Sequence, residues 1–161
     1  MQEGPTRCRI ALLAFDEPPR LWRATTDLHL NGIRACQLCL FGLPHVLAEL
    51  DPQTASDEDF KHVVSDIISQ PPATVRISGN NAVEMRCGRR ASILFTPVAD
   101  RVFEARWLKP DLSHNLANDV FSGAVVLLVS SNTAEQQALG ARLLLRHGKR
   151  DLQTHEFSTP H

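Results

Sequence analysis

The clearest pattern of apolar and polar positions lies near the C-terminus, in residues 123–157. Residues 125–129 are all apolar and mostly β-branched, which predicts a short strand buried on both faces. Asn132 is the predicted N-cap of a following helix, with Glu135 as its capping-box partner. The more polar end of the segment predicts an edge strand or a strand at a subunit interface. Together these elements predict a strand–helix–strand unit.

The predicted helix carries a stripe of mostly small residues at helical spacing. Its members are Ala134, Ala138, Ala141 and Leu145. A face of small side chains favours close packing of the helix against a sheet. Gly148 is the predicted left-handed stop of this helix.

A similar unit opens the chain, in residues 9–41. Residues 10–15 predict a buried strand, and Pro18 with the proline after it is compatible with the first turn of a helix. The apolar side of that helix is expected at Leu21, Ala24 or Thr25, and Leu28. Gly32 is predicted to end the helix, and residues 33–41 predict the second strand.

The middle of the chain, residues 43–121, has a different pattern and is interpreted as an insertion. Residues 57–69 have apolar positions at helical spacing within an acidic section, which predicts a helix. Residues 74–107 are short alternating runs separated by turn residues, the pattern of an antiparallel meander. No linker divides the chain, so residues 1–161 are predicted to form a single domain.

Two strand–helix–strand units around an insertion predict an α+β fold, a ferredoxin-like sandwich with both helices on one face of the sheet. The insertion would add strands to the sheet or form a small second sheet. Such an open sheet is expected to leave a polar face and free edges. We therefore expect a homodimer through edge strands.

The motif SNTAEQQALGARLLLRHG, preceded by an apolar strand and followed by DLQTHEFS, resembles the C-terminal half of small bacterial general-stress, or heat-induced stress, proteins. Those proteins carry a strand–helix–strand unit at each end. The resemblance covers residues 123–157 and, more faintly, 9–41. It implies a cytoplasmic bacterial protein linked to the stress response, and it transfers no catalytic residue.

Composition narrows the classes of function. The chain has 43% apolar and 22% charged residues and a net charge of −1. A net charge near zero argues against a surface that generally coats nucleic acid or membranes, and no apolar run is long enough to span a bilayer. The N-terminal residues lack the pattern of a signal peptide, so a cytoplasmic location with reduced cysteines is expected.

Cys36 and Cys39 form a CxxC motif, a spacing found in redox and zinc sites. Their neighbours predict a mid-strand position, where residues three apart point to opposite faces. That geometry opposes both a disulfide between the two and a shared zinc ion. We therefore interpret the cysteines as buried structural residues and predict neither a metal nor a cofactor.

Several polar residues are weaker candidates for a site. The junction from Ser130 to Asn132 could offer backbone amides to an anion, although its residues are explained as a helix cap. His45, His114 and Asp119 are nominated as pocket residues. Of these, His45 follows a strand end, a common position for sites in α/β folds.

The meander carries a predicted basic surface of six arginines: Arg76, Arg86, Arg89, Arg90, Arg101 and Arg106. With neighbouring aromatic residues, such a surface could bind single-stranded nucleic acid by stacking and phosphate contacts. Arginines also protect strand edges, and these could pair with the acidic section before them.

We interpret the chain as a non-enzymatic protein that acts through self-association and through binding of a protein or a small ligand. Two alternatives stay open. One is an enzyme with a pocket between the sheet and the insertion. The other is nucleic-acid binding through the arginine-bearing meander.

Overall fold

The computed structural model describes residues 6–34, 37–50, 67, 73–77, 81–87, 118–148 and 152–159. Within them, the strands are β1 (Thr6–Phe15), β2 (Leu38–Gly42), β3 (Ala73–Ile77), β4 (Asn81–Cys87), β5 (Val125–Ser131) and β6 (Gln153–Thr159). The helices are α1 (Pro18–Leu30), α2 (Pro44–Ala48) and α3 (Ala134–His147). This mixture of helices and antiparallel strands confirms the α+β class.

The strands form one six-stranded sheet in the order β3-β4-β2-β5-β1-β6, and every neighbouring pair is antiparallel. β5 lies between β1 and β2, and β1 lies between β5 and β6. It follows that β1 and β2 are parallel to each other, and that β5 and β6 are too. The units β1–α1–β2 and β5–α3–β6 are therefore interleaved, each split by a strand of the other.

The two strands of the insertion that the structure describes, β3 and β4, extend this sheet. β3 and β4 pair along their length, and β4 pairs in turn with β2. They correspond to the first two alternating runs of the predicted meander. The later runs lie outside the described residues, as does the predicted helix 57–69 except for Ile67, which is helical and buried.

Alternate residues of the central strands pack against α1 and α3 in one core cluster. The strand members of this cluster are Ala11, Leu13, Phe15, Leu38, Leu40, Val125, Leu127 and Val129. Because side chains alternate across a strand, these positions define one face of the sheet, which we call the helix face.

The opposite face of the same strands is equally apolar. Its members are Ile10, Leu12, Ala14, Cys39, Phe41, Val126 and Leu128, none more than 3% exposed. The prediction that β1 and β5 are buried on both faces is confirmed. The expectation of a polar sheet face is wrong for these strands, because their apolar residues occupy consecutive positions and not alternate ones.

The start of α1 needs no side-chain cap. Glu17 occupies the N-cap position, but its carboxylate makes no capping hydrogen bond. The two prolines that follow have no N–H group, so fewer backbone donors need a partner. Leu21, Ala24, Thr25 and Leu28 are buried as predicted, together with Trp22. Gly32 follows the helix as predicted, with a φ of 87°, a left-handed conformation that is common for a glycine at a helix end.

α3 begins one residue later than predicted. Thr133 and not Asn132 is the N-cap, and its Oγ1 accepts a hydrogen bond from the Gln136 N–H at 3.1 Å. The Gln136 Oε1 accepts in turn from the Asn132 N–H at 3.1 Å. Thr133 and Gln136 fit the capping-box pattern better than Asn132 and Glu135 do, because the pattern favours Ser or Thr followed three residues later by Glu or Gln.

α3 also packs with a different face from the one predicted. Gly140, Leu143 and Leu144 are buried, whereas Leu145 is 52% exposed and Ala138 is exposed too. The sequence contains two competing apolar stripes. The leucine stripe is the buried one because it removes more apolar area from water than the alanine stripe would.

Gly148 ends α3 without a left-handed conformation, since its φ is −98° and its ψ is 150°. Close packing explains the glycine instead. A Cβ atom added to Gly148 would lie 2.2 Å from the Cδ2 atom of Leu13. Leu13 is fully buried on the helix face of β1, so it cannot move aside without disturbing the core.

We expect Gly148→Ala to lower the free energy of unfolding by about 1–3 kcal/mol, the usual cost of overpacking. Urea denaturation followed by circular dichroism measures the change. Gly140→Ala is the matched control, because an added Cβ would lie 3.4 Å from the Val129 Cγ1 atom and alanine favours a helix by about 1 kcal/mol. Equal destabilisation by both variants would contradict the packing explanation.

Candidate functional site

A cavity of about 290 Å³ lies where β1, α1, α2 and the start of β5 meet. Its described apolar wall consists of Phe15, Pro18, Leu21, Val46, Leu50 and Val125. Phe15, Leu21 and Val125 also belong to the core cluster on the helix face. The cavity is therefore an opening that leads into the hydrophobic core.

Three carboxylates and a glycine complete the described lining of this cavity. Asp16 and Glu17 lie in the turn between β1 and α1, Glu49 directly follows α2, and Gly123 lies in the turn before β5. All three acidic residues are exposed, whereas most of the apolar wall is buried. We call this site, with its apolar wall and its exposed carboxylates, the acidic cavity.

Arg20 offsets part of the negative charge of the acidic cavity. Its Nε atom lies 3.1 Å from the Glu17 Oε2 atom, and its Nη1 donates a hydrogen bond to the His147 carbonyl oxygen at 3.4 Å. The backbone N–H of Glu49 donates to the Val46 carbonyl oxygen, but its carboxylate makes no hydrogen bond or ion pair within the part of the chain that the structure describes. Glu17 is thus paired with Arg20, whereas the exposed Glu49 carboxylate brings a negative charge to the opening.

The position of these carboxylates follows from the split topology. β1 and β2 run parallel, so their carboxyl ends lie at the same edge of the sheet. Asp16 and Glu17 follow the end of β1, and Glu49 follows the short helix that leaves β2. In the sequence Glu49 is far from Asp16 and Glu17, so no local pattern predicts that the three share a site. The three carboxylates come together because β1 and β2 are parallel.

The residues nominated from the sequence do not meet around this cavity. His45 is exposed in α2 and is not among the described lining residues. Asp119 lies in a helical turn at 118–121, where its carbonyl oxygen accepts a hydrogen bond from the Ala124 N–H at 3.0 Å. His114 lies outside the described residues. Among the residues that are described, no group of three or more histidine, cysteine, aspartate or glutamate side chains could hold a metal ion.

A histidine–carboxylate pair joins α1 to α3. The His147 Nε2 atom is in direct hydrogen-bond contact with the Asp27 Oδ2 atom, and the Arg146 Nη1 atom lies 3.6 Å from the same oxygen. The side chains of His147 and Asp27 are only 17% and 26% exposed. Neither residue belongs to the described lining of the acidic cavity. The pair therefore acts as a tie between the two helices.

Of the predicted basic surface, Arg86 alone has a described side chain. Its Nη2 atom lies 3.3 Å from the Glu84 Oε2 atom, and the two side chains are 17% and 21% exposed. Arg86 is therefore paired with an acid of its own strand. Arg76 belongs to β3, while four members lie outside the described residues: Arg89, Arg90, Arg101 and Arg106.

Cys39 of the CxxC motif is disulfide-bonded and fully buried in β2. The expectation that all the cysteines are reduced is therefore wrong for Cys39. A sulfur atom in a disulfide is not a thiolate, the form of cysteine that binds metals. Cys36 lies outside the described residues.

The junction between β5 and α3 is closed by side chains of the protein itself. The Gln37 Nε2 atom donates to the Ser130 carbonyl oxygen at 2.9 Å and to the Gln136 Oε1 atom at 3.1 Å. The N–H groups of Asn132 and Gln136, which are donors that an anion would need, are occupied by the capping bonds. They favour the cap interpretation of this junction over an anion site.

Comparison of the chain with protein-family models, with curated proteins and with solved structures gives no match. Within the described ranges, no helix combines the length and the apolar character needed to cross a membrane.

We expect the contact between Asp27 and His147 to contribute a coupling free energy of about 0.5–3 kcal/mol to folding. The cycle of Asp27→Ala, His147→Ala and the double variant measures this coupling by urea denaturation. His29→Ala, at an exposed position of α1, is the control and should show no coupling to Asp27→Ala. Independent effects of the Asp27 and His147 substitutions would refute the tie between the helices.

Proposed function

We propose that this protein is a non-enzymatic binding protein whose acidic cavity holds a small organic cation, an amine with a short apolar tail. The proposal rests on one observation: the opening combines exposed carboxylates with an apolar wall that is continuous with the hydrophobic core. An amine supplies a positive charge for the carboxylates and an apolar tail for the wall.

The size of the acidic cavity supports a small ligand. Its volume of about 290 Å³ lies at the lower limit of ligand sites, which typically measure about 300–1,000 Å³. Burial of apolar surface contributes about 25 cal/mol per Å². A tail of a few carbon atoms therefore adds affinity while the charged group stays at the exposed carboxylates.

The charge distribution supports a cation as the ligand. Glu17 shares its charge with Arg20, so Glu49 is the stronger candidate for direct contact with an ammonium group. An ion pair between exposed groups contributes about 0.2–1 kcal/mol. We therefore expect weak binding that declines as salt screens the charges.

We further infer that the fold is a ferredoxin-like sandwich and that the protein self-associates through β6. The order β2-β5-β1-β6, with α1 and α3 on the helix face, supports this assignment. β6 ends the sheet and, among the described strands, pairs with β1. A strand edge of this kind can pair with a second copy of the chain. The resemblance of residues 123–157 to bacterial stress proteins extends the proposal to a stress-related role.

The enzyme alternative would use the same cavity, because carboxylates can act as general acid and general base. Chemical conversion of a bound amine would favour it over simple binding. Nucleic-acid binding has less support, since Arg86 is paired with Glu84.

We expect n-butylammonium chloride to shift the NMR amide resonances of Phe15, Leu50 and Gly123. Sodium butyrate, which has the same chain length and the opposite charge, should leave them unchanged. The shifts should weaken at about 0.5 M NaCl, where the screening length falls to a few ångströms. Equal binding of butyrate and butylammonium would refute a site for cations.

The variant Glu49→Gln removes one carboxylate charge from the acidic cavity with little change of shape. We expect it to weaken butylammonium binding about twofold to fivefold, the effect of one exposed ion pair. Glu135→Gln, at an exposed position in the first turn of α3, is the matched control and should leave the affinity unchanged. Loss of affinity in the control alone would exclude the acidic cavity as the site.

We expect the protein to sediment as a dimer, and Thr154→Lys to shift it toward the monomer. Thr154 is exposed on β6, and a lysine at a strand edge opposes pairing with another strand. Ala138→Lys, at an exposed position of α3, adds the same charge elsewhere and should not change the sedimentation coefficient. A wild-type monomer at high concentration would rule out self-association.

A further inference from the structure

The disulfide of Cys39 has a partner that the sheet register identifies. We infer that the bond joins Cys39 of β2 to Cys87 of β4, which ties the central sheet to the inserted hairpin. The two residues are Cα partners in the antiparallel ladder between these strands. No other pair of cysteines shares a register position in the described ladders.

The geometry of an antiparallel ladder suits this bond. Directly opposed residues have Cα atoms about 4.5–5.5 Å apart. Disulfides usually join Cα atoms separated by about 4.4–6.8 Å. The bond therefore forms in the register of the sheet without displacement of either strand.

Cys8 is too far from Cys39 to be its partner. Cys39 is opposite Leu128, and Leu128 is opposite Leu12, so Cys39 is level with Leu12 of β1. Cys8 lies four positions from Leu12 on that strand. With about 4.8 Å between strands and 3.3 Å per residue, the Cα atoms of Cys8 and Cys39 are about 16 Å apart, well beyond the reach of a disulfide.

The chemistry of bond formation needs an oxidant, for which a small disulfide such as oxidised glutathione suffices. The thiolate of one cysteine attacks that disulfide, and the other cysteine then displaces reduced glutathione from the mixed intermediate. The two thiols of the protein lose two protons and two electrons in total, and oxidised glutathione becomes two molecules of the reduced form. Disulfides are rare in the cytoplasm. The bond therefore predicts an oxidised Cys39 in cells, whereas the expected cytoplasmic location predicts a reduced one.

Peptide mapping without reductant tests the pairing. The protein is equilibrated with oxidised glutathione, its free thiols are blocked with N-ethylmaleimide, and it is digested with trypsin. Cleavage at the basic residues of the sequence yields one peptide of residues 35–61, which contains Cys36 and Cys39, and one of residues 87–89. We expect these two peptides to be linked, with the maleimide on Cys36 and on Cys8. A bond within the peptide 35–61, a link to Cys8, or complete labelling of all the cysteines would overturn the inference.

Thermal unfolding provides an independent test. A disulfide that closes a long loop restricts the unfolded chain, so dithiothreitol should lower the unfolding midpoint of the wild type by about 5–15 °C. Cys87→Ser should remove this response to dithiothreitol, whereas Cys8→Ser should retain it. A response that survives Cys87→Ser would contradict the pairing, and so would one that disappears in Cys8→Ser.

Discussion

β1 and β5 carry buried apolar side chains on both faces of the sheet, and their backbones pair with neighbouring strands along both edges. A backbone buried in this way must satisfy every N–H and C=O group within the sheet, so the register of these strands cannot slip without a large loss. Burial of each large aliphatic side chain contributes about 1.5–3 kcal/mol. The positions of α1, α3 and the acidic cavity all depend on this fixed pair of strands.

The acidic cavity is a consequence of how the two units interleave. The carboxyl ends of β1 and β2 lie at one edge of the sheet, with the start of β5 between them. Turns must leave the core at this edge, so polar residues such as Asp16 and Glu49 lie beside apolar residues such as Phe15 and Val125. The negative charge at the opening comes from exposed carboxylates of these turns, of which Glu17 is paired with Arg20.

Local patterns in the sequence predicted the helices and strands better than they predicted the contacts between them. Consecutive apolar residues predicted the burial of β1 and β5 correctly, and Gly32 correctly predicted the end of α1, because both signals depend only on neighbouring positions. The buried stripe of α3 was predicted wrongly, since two apolar stripes were available and only the packed sheet selects one. The contact of Asp27 with His147 was missed because residues so distant in sequence meet only once the order of the strands is known.

The acidic cavity and the inferred disulfide depend on the same structural element. β2 pairs with β4 on one side, and its last residue, Gly42, leads into α2. A Cβ atom on Gly42 would lie 3.3 Å from the Leu47 Cγ atom, so the end of β2 and α2 are closely packed. Glu49 follows α2 directly, and its position at the opening is therefore set by how β2 is held in the sheet. A covalent bond from Cys39 to β4 would fix β2 from the side of the insertion, so reduction of that bond would act on the geometry of the acidic cavity.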